Sequence, residues 1–201
     1  MRHAAIACFL LLCTLSTAAT AIETLAYELL KTVGDIEIRR YQPHLLARVE
    51  VEGKFSKAGN QGFRPLFDYI SGKNSEAEKI AMTAPVLQQA SIASDQRQQS
   101  QWFVSFVVPS EFDQQNVPTP SNNSVQITPQ PELVVAAIKY RGGWSQQNYE
   151  THEQLLLTGL NAMNLSTCGS PRWARYDPPF MPWFLRKNEI LMPLCDSSAV
   201  K

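Results

Sequence analysis

Histidine and cysteine are scarce in this chain, at three and four residues out of 201. No histidine pair has metal-ligand spacing, and no GxSxG elbow, P-loop or GxGxxG run occurs, which weighs against catalysis. An excess of one charge is also lacking. Eighteen Lys and Arg balance eighteen Asp and Glu, and no basic run interrupts that balance. The usual electrostatic case for nucleic acid is therefore gone. Proline is plentiful at thirteen residues, which speaks against an all-helical fold, while 44% hydrophobic residues is ordinary for a globular domain.

The one apolar run near the start is too short to cross a bilayer comfortably. Arg2 supplies a basic start, Ala4–Leu15 is the run, and Ala19-Thr20-Ala21 fits a small-x-small cleavage site. Residues 1–21 read as a secretory leader and 22–201 as a single domain, which predicts a periplasmic or secreted protein. Cleavage removes Cys8 and Cys13. The remaining Cys168 and Cys195 suggest a disulfide, with two separate buried thiols as the alternative. Antiparallel pairing of 172–177 with 188–194, with Asp177 opposite Asn188, sets Cys195 opposite Ser170 and near Cys168.

The stretch Gly62–Val86 organises the rest. Phe63, Leu66, Phe67 and Ile70 fall at i, i+3, i+4 and i+7, one face of a helix that Ser71-Gly72 stops. Pro65 predicts a kink or a late start near Arg64, and Ser56 is the candidate N-cap. KIAMTAPV then reads as a strand at a sheet edge. Core packing accounts for most of that helix face, and a minority lines an apolar cleft with Met82.

Strands are expected over 36–41, 45–51, 102–108, 125–128 and 133–140, with 88–101 and 111–123 as exposed loops. In the second strand Leu45, Ala47, Val49 and Val51 share a face, opposed by Arg48, Glu50 and Glu52. A second helix carries Tyr149, His152, Leu156, Leu160 and Met163 as its stripe. Gly142-Gly143-Trp144-Ser145 before it echoes Gly53-Lys54-Phe55-Ser56 before the first. The expected fold is α+β: two strand–helix–strand halves sharing one curved antiparallel sheet, both helices against it and a groove beside a helix as the ligand site.

KIAMTAPV, GFRPLFDYISGKN, IEIRRY and the run from Tyr176-Asp177-Pro178-Pro179-Phe180 to Arg186-Lys187-Asn188-Glu189-Ile190 resemble the SOUL haem-binding protein family. The resemblance covers nearly all of the chain after the leader. It implies a distorted antiparallel barrel of two pseudo-repeated halves with two long helices. It also implies haem or another tetrapyrrole, bound non-covalently in an apolar groove beside the first helix. Some members are proposed to ligate iron through a histidine just before the tyrosine of IEIRRY. Here that position is Arg40, whose guanidinium stays protonated and cannot ligate iron. The chain is more similar to members thought to bind without a fixed axial histidine.

On that reading Phe63, Phe67, Ile70 and Met82 supply apolar surface, and Arg40, Arg64, Lys57 or Lys73 face the propionates. His44 is expected to face solvent and His152 to pack with a hydrogen bond, iron ligation being the lesser reading of each. Met82 and Tyr41 are the other candidate iron ligands, with core packing as their default. Arg186 and Glu189 are expected to brace the proline-rich loop. The leading expectation is an exported, monomeric carrier, buffer or scavenger of haem with no catalytic or metal-binding residues. The fold also resembles small-molecule effector-binding domains, some of whose relatives are hydrolases. An enzyme acting on haem or a small apolar substrate, or a peptide-binding module, are the alternatives.

Overall fold

The computed structural model describes residues 22–91 and 101–195. The leader expected over 1–21, with Cys8 and Cys13, lies outside them. In chain order the elements are β1 (Glu23–Thr24), β2 (Tyr27–Val33), β3 (Ile36–Tyr41), β4 (His44–Glu52), α1 (Phe55–Ile70), β5 (Thr83–Ala84) and β6 (Val86–Ala90). There follow β7 (Gln101–Val107), β8 (Val125–Gln130), β9 (Leu133–Arg141), α2 (Gln146–Ala162), β10 (Arg172–Arg175) and β11 (Lys187–Pro193).

Nine strands form one antiparallel sheet in the order β2-β3-β9-β11-β10-β6-β7-β4-β8. The order carries the repeat. Strand β4, helix α1 and hairpin β6–β7 build one half; β9, α2 and hairpin β10–β11 build the other. The halves meet where β10 pairs with β6, and each lends a strand across: β3 pairs with β9, and β8 with β4. Gly53 and Gly142 take the same role in the turns before the helices, at φ +125° and +135°, where a side chain is strained. Pro129 sits in β8, an edge strand, where a missing N–H costs no ladder bond.

Strand alternation sorts the side chains into two layers. The outer layer lies under the helices. There Leu45, Ala47 and Val49 pack with Leu66, Tyr69 and Ile70 of α1, and Ile36, Ile38 and Ile190 pack with Leu156 and Leu160 of α2. Phe55, Trp102, Tyr149 and Trp173 form an aromatic knot between the halves, its ring centroids 3.6–5.7 Å apart. The inner layer is the inside of the curl and holds Tyr41, Leu46, Leu87, Val135, Ala174 and Leu191. Arg172 of β10 reaches Gln130 of β8 across it at 2.9 Å, four places away in strand order, so the sheet closes towards a half-barrel.

Several boundaries differ from expectation. Helix α1 starts at Phe55 and runs through Pro65. The bond that Pro65 cannot make is to the carbonyl of Gln61, an exposed residue. Lys54, not Ser56, occupies the N-cap and makes no side-chain cap bond. In α2 a serine does cap the helix: Ser145 Oγ accepts from the Asn148 N–H at 3.2 Å. KIAMTAPV is strand only over Thr83-Ala84 and from Val86, and β1 pairs with β5 in parallel outside the main sheet. Gln88 and Gln89 belong to β6 rather than to a loop, and Gln88 is fully buried.

Cys168 and Cys195 form a disulfide with Cα atoms 4.9 Å apart. The hairpin register is two residues from the expected one, Arg175 standing opposite Asn188.

Candidate functional site

Helix α1 has a wide apolar face that divides. Ala58, Gly62, Leu66 and Tyr69 go under the helix into the sheet, while Gly59, Phe63 and Phe67 follow the adjacent i, i+4 strip. That strip is one wall of a groove of about 590 Å³. Met82, Thr83, Ala84 and Val86 make the facing wall, Trp144 and Arg175 the floor, and the 176–180 loop the outer lip. Phe63 and Phe67 stack at 5.7 Å, and Phe67 keeps 49% of its surface in solvent.

The floor has one cation. Arg175 donates Nη2–H to Gln88 Oε1 at 2.7 Å, and Gln88 in turn donates to the Phe55 carbonyl at 3.1 Å. The guanidinium carbon lies 5.2 Å from the Trp144 ring centroid. Among the described residues no carboxylate pairs with it. Burial pulls its pKa down to about 10, against a small opposing pull from Tyr140, so at neutral pH the charge remains. A half-buried guanidinium with unused donors and no counter-ion is ready to donate to an anionic group.

The lip is held from behind. Arg186 donates to the carbonyls of Met181 at 2.9 Å and Pro179 at 2.6 Å, the bracing expected of it. Glu189 also braces the start of the loop and ties it to the inner layer: it accepts from Tyr176 at 2.7 Å and from buried Arg39 at 2.7 and 3.0 Å. Burial first, then the Glu189 charge, push the Tyr176 phenol well above its ordinary pKa, so it stays protonated. The Asp177 carboxylate is taken by the Lys187 N–H at 2.6 Å. Among the described residues Met82 is the only sulfur lining the groove, and no histidine lines it.

Of the residues singled out from the sequence, the fold brings Phe63, Phe67 and Met82 together on this groove. It places Ile70 in the core and Arg64 on the exposed side of α1. Arg40 pairs with Glu28 at 2.8 Å and Glu132 at 3.5 Å, away from the groove. Lys73 pairs with Asp68 at 2.9 Å, and Lys57 is exposed. Tyr41 is buried in the inner layer, where Arg39 donates to it. His152 stacks on Tyr140 at 4.1 Å and bonds the Asn148 carbonyl at 2.7 Å, the packing role expected.

His44 is half-buried rather than solvent-facing, with Nδ1 2.8 Å from the Gln42 carbonyl. Burial holds its pKa below 6.5; the Gln42 carbonyl opposes that and the Arg172 charge adds to it. The unfolded chain therefore takes up this proton more readily than the folded one. Stability from this group is present above about pH 6.5 and is lost as pH falls through the lower folded pKa. His44→Gln is expected to flatten the fall of the urea midpoint just below that pH.

Sequence reading missed Arg175, Trp144 and the lip. A signal for Arg175 was available, because it shares a strand face with Trp173, and a tryptophan marks the core side.

Two glycines set how closely α1 approaches. A Cβ at Gly59 would strike the Arg175 guanidinium, and one at Gly62 would strike the Val104 side chain. Arg175 is flexible at that end; Val104 is branched next to its backbone. Gly59→Ala is thus expected to keep the fold but push Arg175 off Gln88. Gly62→Ala should lose about 1–3 kcal/mol by overpacking, read from denaturant midpoints.

A model of the SOUL heme-binding protein family matches residues 22–193. Mouse (Mus musculus) "Heme-binding protein 2" is 36% identical over 173 residues, covering 78% of this chain and 80% of its own. "Heme-binding protein 1" of Xenopus laevis is 27% identical over 161 residues, covering 77% and 80%. Among solved structures, the EcmrR C-terminal domain superposes with TM-score 0.64 at 10% identity, over 84% of this chain and 97% of that one. A hydrolase from Listeria innocua gives 0.54 at 10% identity, over 80% and 91%. At such identities the last two speak for the fold alone.

Proposed function

The chain belongs to the SOUL haem-binding protein family, and from that premise we propose that it holds haem or a related tetrapyrrole in the groove between α1 and the 176–180 loop. The observation that carries this reading is Arg175, an unpaired cation on the floor of an otherwise apolar groove. A planar macrocycle with apolar faces and a carboxylate edge has the complementary pattern. Phe63, Phe67, Met82 and Val86 would lie against its faces, and Arg175 would meet a propionate. Haem supplies iron redox and ligation chemistry when bound; the groove residues bury and orient it. With no histidine in the lining among the described residues, binding rests on apolar contact and charge rather than on a fixed axial imidazole.

The protein acts as an exported monomeric carrier or buffer and not as an enzyme. A leader-like start and a disulfide support export, since disulfides persist in oxidising compartments.

Haemin titration followed at the Soret band tests the reading. A saturable change at micromolar haemin is expected, and a linear, unsaturable one would falsify it. His44→Ala should leave both affinity and band position unchanged. Pigment recovered after incubation with a reductant should be intact; an altered tetrapyrrole would favour an enzyme instead.

A further inference from the structure

The inner layer of the sheet carries arginines in two clusters, and only one of them is neutralised. In the first, buried Arg39 meets Glu189 at 2.7 Å and Glu37 at 2.8 Å. In the second, Arg48 of β4 and Arg172 of β10 line a cleft of about 170 Å³ with Gln89, Ser105, Phe103 and Gln130. Among the described residues no acidic side chain lines it. Arg48 alternates with Ala47 and Val49, and Arg172 precedes Trp173, so both point away from the helices and from the groove that α1 walls.

Their donors are underused. Arg172 makes one hydrogen bond, Nη2–H to Gln130 Oε1 at 2.9 Å, and Arg48 makes none among the described residues, lying instead over the Phe103 ring at 3.1 Å. The Nε–H groups of both are buried without a partner. Glu50, two residues along β4, is exposed and outside the cleft; burial pulls the Arg48 pKa down and the Glu50 charge only partly opposes that, with no ion-pair contact between them. Burial followed by the Arg48 charge pulls the Arg172 pKa down, the mark of two guanidiniums sharing one low-dielectric site. Arranging two like charges this way is unfavourable unless an anion joins them.

We propose that this cleft is a binding site for a small oxyanion of the phosphate class, held between the Arg48 and Arg172 guanidiniums with the Gln89 and Gln130 amides beside them. Guanidinium forks match the paired oxygens of such an ion. The volume is below the usual range for organic ligands, about 300–1,000 Å³, which excludes a tetrapyrrole and suits one ion or the end group of a monoester. The site stands apart from the haem reading and does not depend on it.

Calorimetric titration of the purified protein with inorganic phosphate, at fixed ionic strength in chloride, is the test. One site per chain is expected. Arg48→Met and Arg172→Gln should each weaken binding about tenfold or more, and Arg175→Met should leave it unchanged. Competition by glycerol phosphate assigns the site to monoesters; competition by sulfate alone assigns it to free ions. As a check needing no variant, phosphate should raise the Tm of the unaltered protein above that in matched chloride. No heat and no Tm rise, or binding that survives in both cleft variants, overturns the proposal.

Discussion

Arg175→Met is expected to weaken haemin binding by about 10- to 100-fold while leaving the Soret maximum of the bound state in place. A hydrogen bond to an ionised partner contributes about 1.5–3 kcal/mol, and Arg175 is the one cation on the groove floor. Methionine keeps apolar length, so the loss isolates charge from packing. Arg175→Lys should fall between the two, because an ammonium keeps the charge but not the fork. A Soret maximum shifted in Arg175→Met and equally in Arg175→Leu, which brings no thioether to the iron, would mean that the arginine itself governs iron ligation, which a propionate contact does not do. Unchanged affinity would remove Arg175 from the site. Gly59→Ala offers the same result without deleting the arginine. It should weaken haemin in the same direction, with stability held near that of the parent.

The largest expected stability effect lies on the inner layer. Arg39 is fully buried, donates two bonds to Glu189, one to Glu37 at 2.9 Å and one to Tyr41 at 3.2 Å, and lies 4.1 Å from the Tyr27 ring centroid. Burial alone would disfavour its charge; Glu189 outweighs that and holds its pKa above the ordinary arginine value. Removing one member of such a pair leaves the other charged and buried. Arg39→Met should therefore cost about 3–5 kcal/mol, measured as a lowered denaturant midpoint. The double variant Arg39→Met/Glu189→Leu is expected to recover a good part of that loss, since the stranded carboxylate is gone. A double variant no better than the single one would place the cost in packing rather than in charge. Tyr176 also loses its acceptor when Glu189 is replaced, so Glu189→Leu alone should loosen the groove lip and weaken haemin as well.

What could be read without coordinates follows from period. Ile36-Glu37-Ile38 and Leu45–Val51 alternate at two, and Tyr149–Met163 repeats near 3.6, so strands and helix were legible. The periodicity shows that Phe63, Leu66, Phe67 and Ile70 share a face but not which of them line a cleft; the fold keeps Phe63 and Phe67 on the groove and sends Ile70 into the core. Less legible was which polar residues turn inward. Alternation says that Arg39 and Arg48 oppose the apolar face, and on a flat sheet that means water. This sheet curls, and the second face becomes an interior where Arg39 needs Glu189, 150 residues away. The start of α1 was hidden for a related reason. Pro65, Gly59 and Gly62 all disfavour a helix locally, but close packing against Val104 and Arg175 wants small residues there, and the tertiary contact outweighs propensity.

The amino-acid order alone decided the family, the two-half plan and the apolar strip of α1, because each depends on neighbours within a few turns or on motifs that stay together. Only the folded chain decided that Arg175 would stand alone under that strip, that Arg40 would be occupied by Glu28, and that Arg175 rather than Asp177 would stand opposite Asn188 in the hairpin that the Cys168–Cys195 bridge closes. Charge pairing depends on which residues the strand registers set opposite one another and on the curl of the sheet, and both exist only in the folded chain.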